Sequence, residues 1–114
     1  MEMYSKPLLW LGDSKRRIRE FPHEARQRIG FEMWEVQQGR EPSDWKPMQA
    51  VGQGVNEVRV HVKGEYRVLY VAKFQETVYV LHVFEKKTQR TSKHDIEVAR
   101  DRYRALLQQR VRMQ

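Results

Sequence analysis

The chain has 114 residues, of which 39% are hydrophobic and 32% charged, enough for one domain over residues 1–114 with a single modest core. It contains no cysteine, which excludes a disulfide framework and any thiolate metal site. A net charge of +7 and a pI near 9.9 point to a polyanionic partner, either nucleic acid or an acidic protein.

Fourteen of the 22 basic residues are Arg, whose planar fork suits bidentate contacts to phosphate or carboxylate. No apolar run reaches the length of a membrane span, and the N-terminus lacks a signal-peptide pattern. A cytoplasmic protein without a membrane partner is therefore expected.

In chain order, Pro7 to Leu11 (PLLWL) reads as a short edge strand, with Pro7 at its first residue. Asp13 or Ser14 can cap a short helix through Phe21 that turns Ile18 inward. Pro22 opens a second helix, His23 to Gln38, closed by Gly39. There Ala25, Ile29, Met33 and Val36 form an inward stripe, which Phe31 and Trp34 are expected to widen. Arg40 to Gly54 is turn-rich and reads as a connection pinned to the core by Trp45 and Met48.

Val55 to Arg90 is the centre of the fold. Val58, Val60 and Val62 alternate with Glu57, Arg59 and His61, the two-residue period of a strand with one buried face. Lys63, Gly64 and Glu65 make a turn, and Tyr66 to Lys73 resumes as a second strand. Thr77 to Phe84 is more continuously apolar, as in a strand covered on both faces. Ser92 and Asp95 have the spacing of a helix cap, and the helix they open aligns Ile96, Ala99, Tyr103 and Leu106 on one side. Arg100, Arg102, Arg104 and Arg110 spread around the rest. The sum is an α+β fold, a helical hairpin plus a C-terminal helix packed on a small, mostly antiparallel twisted sheet.

Several chemistries find no pattern here. G-x-x-x-x-G-K-[ST], G-x-G-x-x-G and H-E-x-x-H are all absent, and Gly52-Gln53-Gly54 does not extend into a phosphate loop. His61 and His82 lie on strands without a carboxylate set at metal-ligand spacing, so no metal or other cofactor is expected. No serine sits in a nucleophile context. What remains is Glu57 and Arg59 on one strand, Arg67 on the next, and Lys86 and Lys87 after the third. Cleaving RNA through its own 2′-hydroxyl needs only cations around the phosphorane, a proton acceptor and a proton donor. This set meets that requirement in kind. The competing reading is an exposed sheet face decorated with charge.

Four stretches together resemble one family: Gly54 to Arg59 (GVNEVR), Tyr66 to Tyr70 (YRVLY), Val80 to Thr88 (VLHVFEKKT) and Ala99 to Tyr103 (ARDRY). Their order and separation are similar to the phage-derived, HigB-like branch of the RelE/ParE toxin superfamily. The resemblance implies a RelE/ParE-like fold and the toxin of a type II toxin-antitoxin system. It further implies a metal-independent, ribosome-dependent endoribonuclease that cuts mRNA, neutralised by a helix-turn-helix antitoxin through which DNA is contacted only indirectly. Within the superfamily the alternative is a ParE-like inhibitor of DNA gyrase, and outside it a non-catalytic phage-derived nucleic-acid-binding accessory protein.

Carried over by position, the resemblance implies that Arg59 and Arg67 hold the scissile phosphate and its transition state. Lys86 would meet developing charge, and Lys87 backbone phosphate. Glu57 matches the family's acid, either as proton acceptor or as a salt bridge that orients Arg67. Lys46, Arg90 and Tyr70 join Lys87 as RNA-binding candidates. Tyr70 and Phe84 can stack on a base, although alternation also reads both as core. His82 is read as a hydrogen-bonded core residue in preference to a catalytic one.

Overall fold

The computed structural model describes residues 5–113. Eight elements follow one another: β1 (Leu8–Trp10), α1 (Ser14–Arg19), α2 (His23–Gln37), β2 (Trp45–Pro47), β3 (Val55–His61), β4 (Glu65–Val71), β5 (Val78–Glu85) and α3 (Lys93–Arg112). The strands form one sheet in the order β1-β5-β4-β3-β2. Every ladder is antiparallel except β1 with β5, where Leu8 pairs with Val78 and Trp10 with Val80. The α+β class and the mostly antiparallel sheet expected from the sequence are what the chain adopts.

Strand alternation divides the core between the two faces of the sheet. Val58, Val60, Tyr66, Val68, Tyr70, Val78, Val80 and Val83 meet Ala25, Ile29, Met33 and Val36 of α2, with Ile18 and Phe21 beside them. On the other face Val55, Leu69, Val71, Tyr79, Leu81 and Phe84 meet Ala99, Tyr103 and Leu106 of α3. The helical pair and the last helix thus lie on opposite sides of the sheet. Burying Ile29 and Met33 completely contributes about 1.5–3 kcal/mol each relative to exposure.

A register shift in the β4–β5 ladder opposes Leu69 to His82 and Tyr70 to Val80, which leaves Leu81 as the extra residue. The bulge lets Leu81 and His82 both serve the α3 side. There Arg102 donates to the Leu81 carbonyl at 2.9 Å and to Asp13 Oδ1 at 2.7 Å. Ser92 caps α3 by accepting the Asp95 amide at 3.1 Å, as its spacing predicts.

Five expectations need correction. Phe31 and Trp34 are 49% and 47% exposed, so they do not widen the α2 stripe. They lie on its solvent side with Arg28 5.8 Å above the Phe31 ring and Arg40 5.0 Å above Trp34, contacts that stabilise exposed aromatics. The stripe is widened instead by Glu32, 1% exposed, whose carboxylate accepts the Ser43 amide at 2.8 Å and pairs with Arg28. The region read as pure connection contains β2, which pairs with β3. Asp13 makes no side-chain cap to α1, because its oxygens are taken by Arg17 and Arg102. Arg102 is not spread outward but drawn into that network. Pro22 stands at the N-cap of α2, one position before its first turn.

Candidate functional site

The α3-side face of the sheet is only half covered by the helix. Beyond the apolar half, the same face continues through Lys46 of β2, Glu57, Arg59 and His61 of β3, and Glu65 and Arg67 of β4. Ladder register places Lys46 opposite Glu57, Arg59 opposite Arg67 and His61 opposite Glu65. Like charges directly opposite one another are destabilising, and the Arg59–Arg67 pair persists because a carboxylate lies beside it.

That carboxylate is Glu57, fully buried. Its Oε1 lies 3.4 Å from Arg59 Nε, 3.9 Å from Arg67 Nε and 4.0 Å from Lys46 Nζ. One oxygen thus faces three cations, while Oε2 and Arg67 Nε are buried without a hydrogen-bond partner. Such an arrangement fixes the cations more than it neutralises them. Their accessibility is graded: the side chain of Arg67 is 7% exposed, that of Arg59 32% and that of Lys46 45%. Arg67 is further held by donating to the Tyr66 carbonyl at 3.0 Å and to Glu65 Oε1 at 3.2 Å.

His61 closes the row. Its Nε2 lies 2.7 Å from Asp44 Oδ2 and its Nδ1 2.7 Å from Glu65 Oε1. Ionised carboxylates only accept, so both ring nitrogens must donate and the imidazole is held as imidazolium. Its pKa is raised, first by Asp44 and then by Glu65, against a smaller opposing effect of burial. Glu65 is in turn held below the usual carboxylate range, chiefly by His61. The exposed surface therefore presents Lys46, Arg59 and a charged His61, with Arg67 beneath.

The other candidates are placed as follows. Lys86 is joined to β4 by its amide, which donates to the Glu65 carbonyl at 2.6 Å. Lys87 and Arg90 follow on the exposed segment after β5. Tyr70 lies on the opposite face, 3% exposed in the α2 core. Desolvation pushes its hydroxyl up to about 12. It cannot share a ligand with Arg59, and its place among the RNA-binding candidates is withdrawn. Phe84 shares the face of Arg67 but is buried and stacked on His82, with centroids 5.4 Å apart. His82 is fully buried with Nε2 2.7 Å from Asp95 Oδ1. Burial lowers its pKa more than Asp95 raises it, so it is a neutral core residue. His61 and His82 thus have separate carboxylate partners. Among the described residues no three His, Asp or Glu side chains are arranged to hold a metal.

Asp44 and Glu65 went unnoticed in the sequence. Glu65 had a signal, since it and His61 flank the turn around Lys63 symmetrically and must face each other in a tight hairpin. Asp44 had none, because the strand that brings it near was not legible.

Residues 16–104 match the family model described as phage-derived protein Gp49-like. The chain belongs to that family. No curated protein matches it. Membership covers α2, the whole sheet apart from β1, and most of α3, so the cationic row of this Gp49-like protein lies entirely within the matched part. The phage-derived character expected from the sequence holds at this level. No described helix of the Gp49-like chain is long and apolar enough to cross a membrane.

Proposed function

We propose that this Gp49-like protein is the toxin of a type II toxin-antitoxin pair, an endoribonuclease that cuts mRNA on the ribosome through the RNA's own 2′-hydroxyl. The observation that carries the reading is the convergence of Lys46, Arg59 and Arg67 on Glu57 Oε1 with His61 at the open end. Preorganised cations on a fixed carboxylate stabilise charge that develops on a phosphorane without reorganising at the moment of reaction. In the reaction the 2′ oxygen bonds to phosphorus, its proton leaves to solvent, and the bond to the 5′ oxygen breaks. The products are a cyclic phosphate and a free 5′-hydroxyl.

Arg59 and Lys46 are accessible enough to touch the phosphate, whereas Arg67 and Glu57 position them from below. His61 has both of its N–H groups engaged by Asp44 and Glu65 and fixes the end of the row, so the 5′ oxygen takes its proton from solvent. Lys86 meets developing charge, and Lys87 and Arg90 extend the cationic surface along the RNA. A helix-turn-helix antitoxin is the partner that the resemblance to HigB-like toxins supports.

The test is induced expression in a bacterial host with primer extension on a reporter mRNA, comparing wild type with Arg59→Gln. Growth arrest with new in-frame 5′ ends, reduced on the order of a hundredfold in the variant, is the expected result. Arrest without cleavage would replace the nuclease with a gyrase inhibitor. No arrest would leave a nucleic-acid-binding accessory protein.

A further inference from the structure

The Gly52-Gln53-Gly54 turn forms one wall of a cleft that the cationic row does not use. The cleft has a volume of about 360 Å³ and is lined chiefly by Gln53, Lys73, Arg100, Tyr103, Arg104 and Leu107, with no acidic side chain among its walls. Both glycines are needed for its shape. A Cβ on Gly52 would stand 2.5 Å from the Tyr103 ring, and one on Gly54, at φ +84°, would stand 2.8 Å from Lys73 Cδ. The turn therefore lies directly against both side chains, and its Gln53 carbonyl accepts from Tyr103 Oη at 2.7 Å and from Lys73 Nζ at 3.3 Å. Arg100 is held in a similar way, donating from Nε and Nη2 to the Ala50 carbonyl at 3.2 and 2.6 Å. Arg100 and Arg104 stand one turn apart on α3 and share a flank.

These cations are fixed but not neutralised. Arg16, Arg17, Arg28, Arg40, Arg59, Arg67, Arg102 and Arg110 each pair with a carboxylate. Among the described residues Lys73 and Arg100 have no such pair, and Arg104 reaches only the exposed Asp101, at 3.8 Å. Neutral carbonyls hold Lys73 and Arg100 in place and leave them most of their donors. Like charges crowded around one cleft repel, and an anion between them relieves that repulsion. A single carboxylate would offset only one of the three, whereas a phosphate or chain of phosphates matches the set and fits a cavity in the small-ligand range. Tyr103 is 5% exposed and bonded through its hydroxyl, so it offers no platform for a base.

We propose that this cleft is a second oxyanion site, specific for phosphate groups and separate from the row around Glu57. Its phosphates come either from a nucleic-acid backbone or from a free polyphosphate, and the proposal stands whether or not the protein cuts RNA.

The test uses the full chain labelled with ¹⁵N and two probes, inorganic tripolyphosphate and a single-stranded oligodeoxynucleotide of about ten nucleotides, which lacks the 2′-hydroxyl. Tripolyphosphate should move the amide signals of Gln53, Lys73, Arg100 and Arg104, and Lys73→Gln/Arg100→Gln should weaken its binding on the order of tenfold. Arg104→Gln breaks no bond to the backbone and should weaken binding in the same direction with the melting temperature unchanged, which guards against misfolding of the double variant. A parallel loss of oligonucleotide affinity would assign the site to a nucleic-acid backbone. Loss confined to tripolyphosphate would assign it to a free polyphosphate. Signals that move only around Lys46 and Arg59, wild-type affinity in both variants, or failure of tripolyphosphate to bind would overturn the proposal.

Discussion

Replacing Glu57 with Gln separates its two possible roles. The change keeps the shape, removes the charge and leaves Arg67, 7% exposed, with Glu65 as its remaining carboxylate. At an effective dielectric near 20, unit charges about 4 Å apart attract by roughly 4 kcal/mol before any desolvation cost. Lys46 is 45% exposed and Arg59 32%, so solvent screens both pairs and each contributes under about 1 kcal/mol. The carboxylate's own desolvation, which Gln is spared, offsets part of the Arg67 interaction. A net loss of about 2–3 kcal/mol follows, or roughly 10 °C in melting temperature for a domain of this size. Thermal and urea unfolding followed by circular dichroism at pH 7 would measure it, with mRNA cleavage assayed on the same preparation. If Glu57 orients the cations, stability and cleavage fall together. A melting temperature within about 2 °C of wild type would refute the anchor, and with cleavage abolished it would make Glu57 a proton acceptor.

The two strand histidines give opposite pH dependences. His61 has a folded pKa above its ordinary 6.5, so its bridge to Asp44 and Glu65 contributes fully below that value and is lost as pH rises through the raised one. His82 has a folded pKa below 6.5, so its contribution is intact above that value and declines as pH falls toward the lowered one. Stability should therefore peak near neutrality, with His61→Gln flattening the alkaline side and His82→Gln the acid side of a melting-temperature profile. Arg102→Met should cost about 1–3 kcal/mol in urea unfolding, since the Leu81 carbonyl and Asp13 Oδ1 lose their donor while Arg17 still holds Asp13 Oδ2. Trp34→Gln should change stability by no more than about 0.5 kcal/mol, because that ring packs on Arg40 and not on the core. A larger loss would restore it to the α2 stripe.

Periodicity was a sufficient guide where one face was apolar and the other was not. Val58, Val60 and Val62 against Glu57, Arg59 and His61 set the parity of β3, and the unbroken apolar run of β5 announced a strand covered twice. Parity assigns a face but not what covers it. Glu57 and Arg59 share a face with Leu69, which α3 buries, so Glu57 lies fully inside while His61, two residues past Arg59, is exposed. β2 was hidden because its three residues end on Pro47 within a turn-rich stretch, and with it went the reason for Lys46 and Asp44 to approach the row. Phe31 and Trp34 misled because helical position places side chains by angle, whereas exposure depends on which neighbour arrives. The Leu81 bulge left no mark in a run where every residue is apolar or His.

The parallel ladder governs the order in which this protein can assemble. Leu8 must find Val78, and Asp13 must find Arg102, so the outermost contacts join segments far apart in the chain. Contacts of such high order form late, after their loop-closure entropy has been overcome. The local β3–β4 hairpin, which carries Arg59 and Arg67, can form as soon as residue 71 is available and find α2 on one face, but its other apolar face stays open until α3 follows. A nascent chain can therefore set its cations on Glu57 before the apolar half of the same face is enclosed, and the finished arrangement arises only once α3 has left the ribosome.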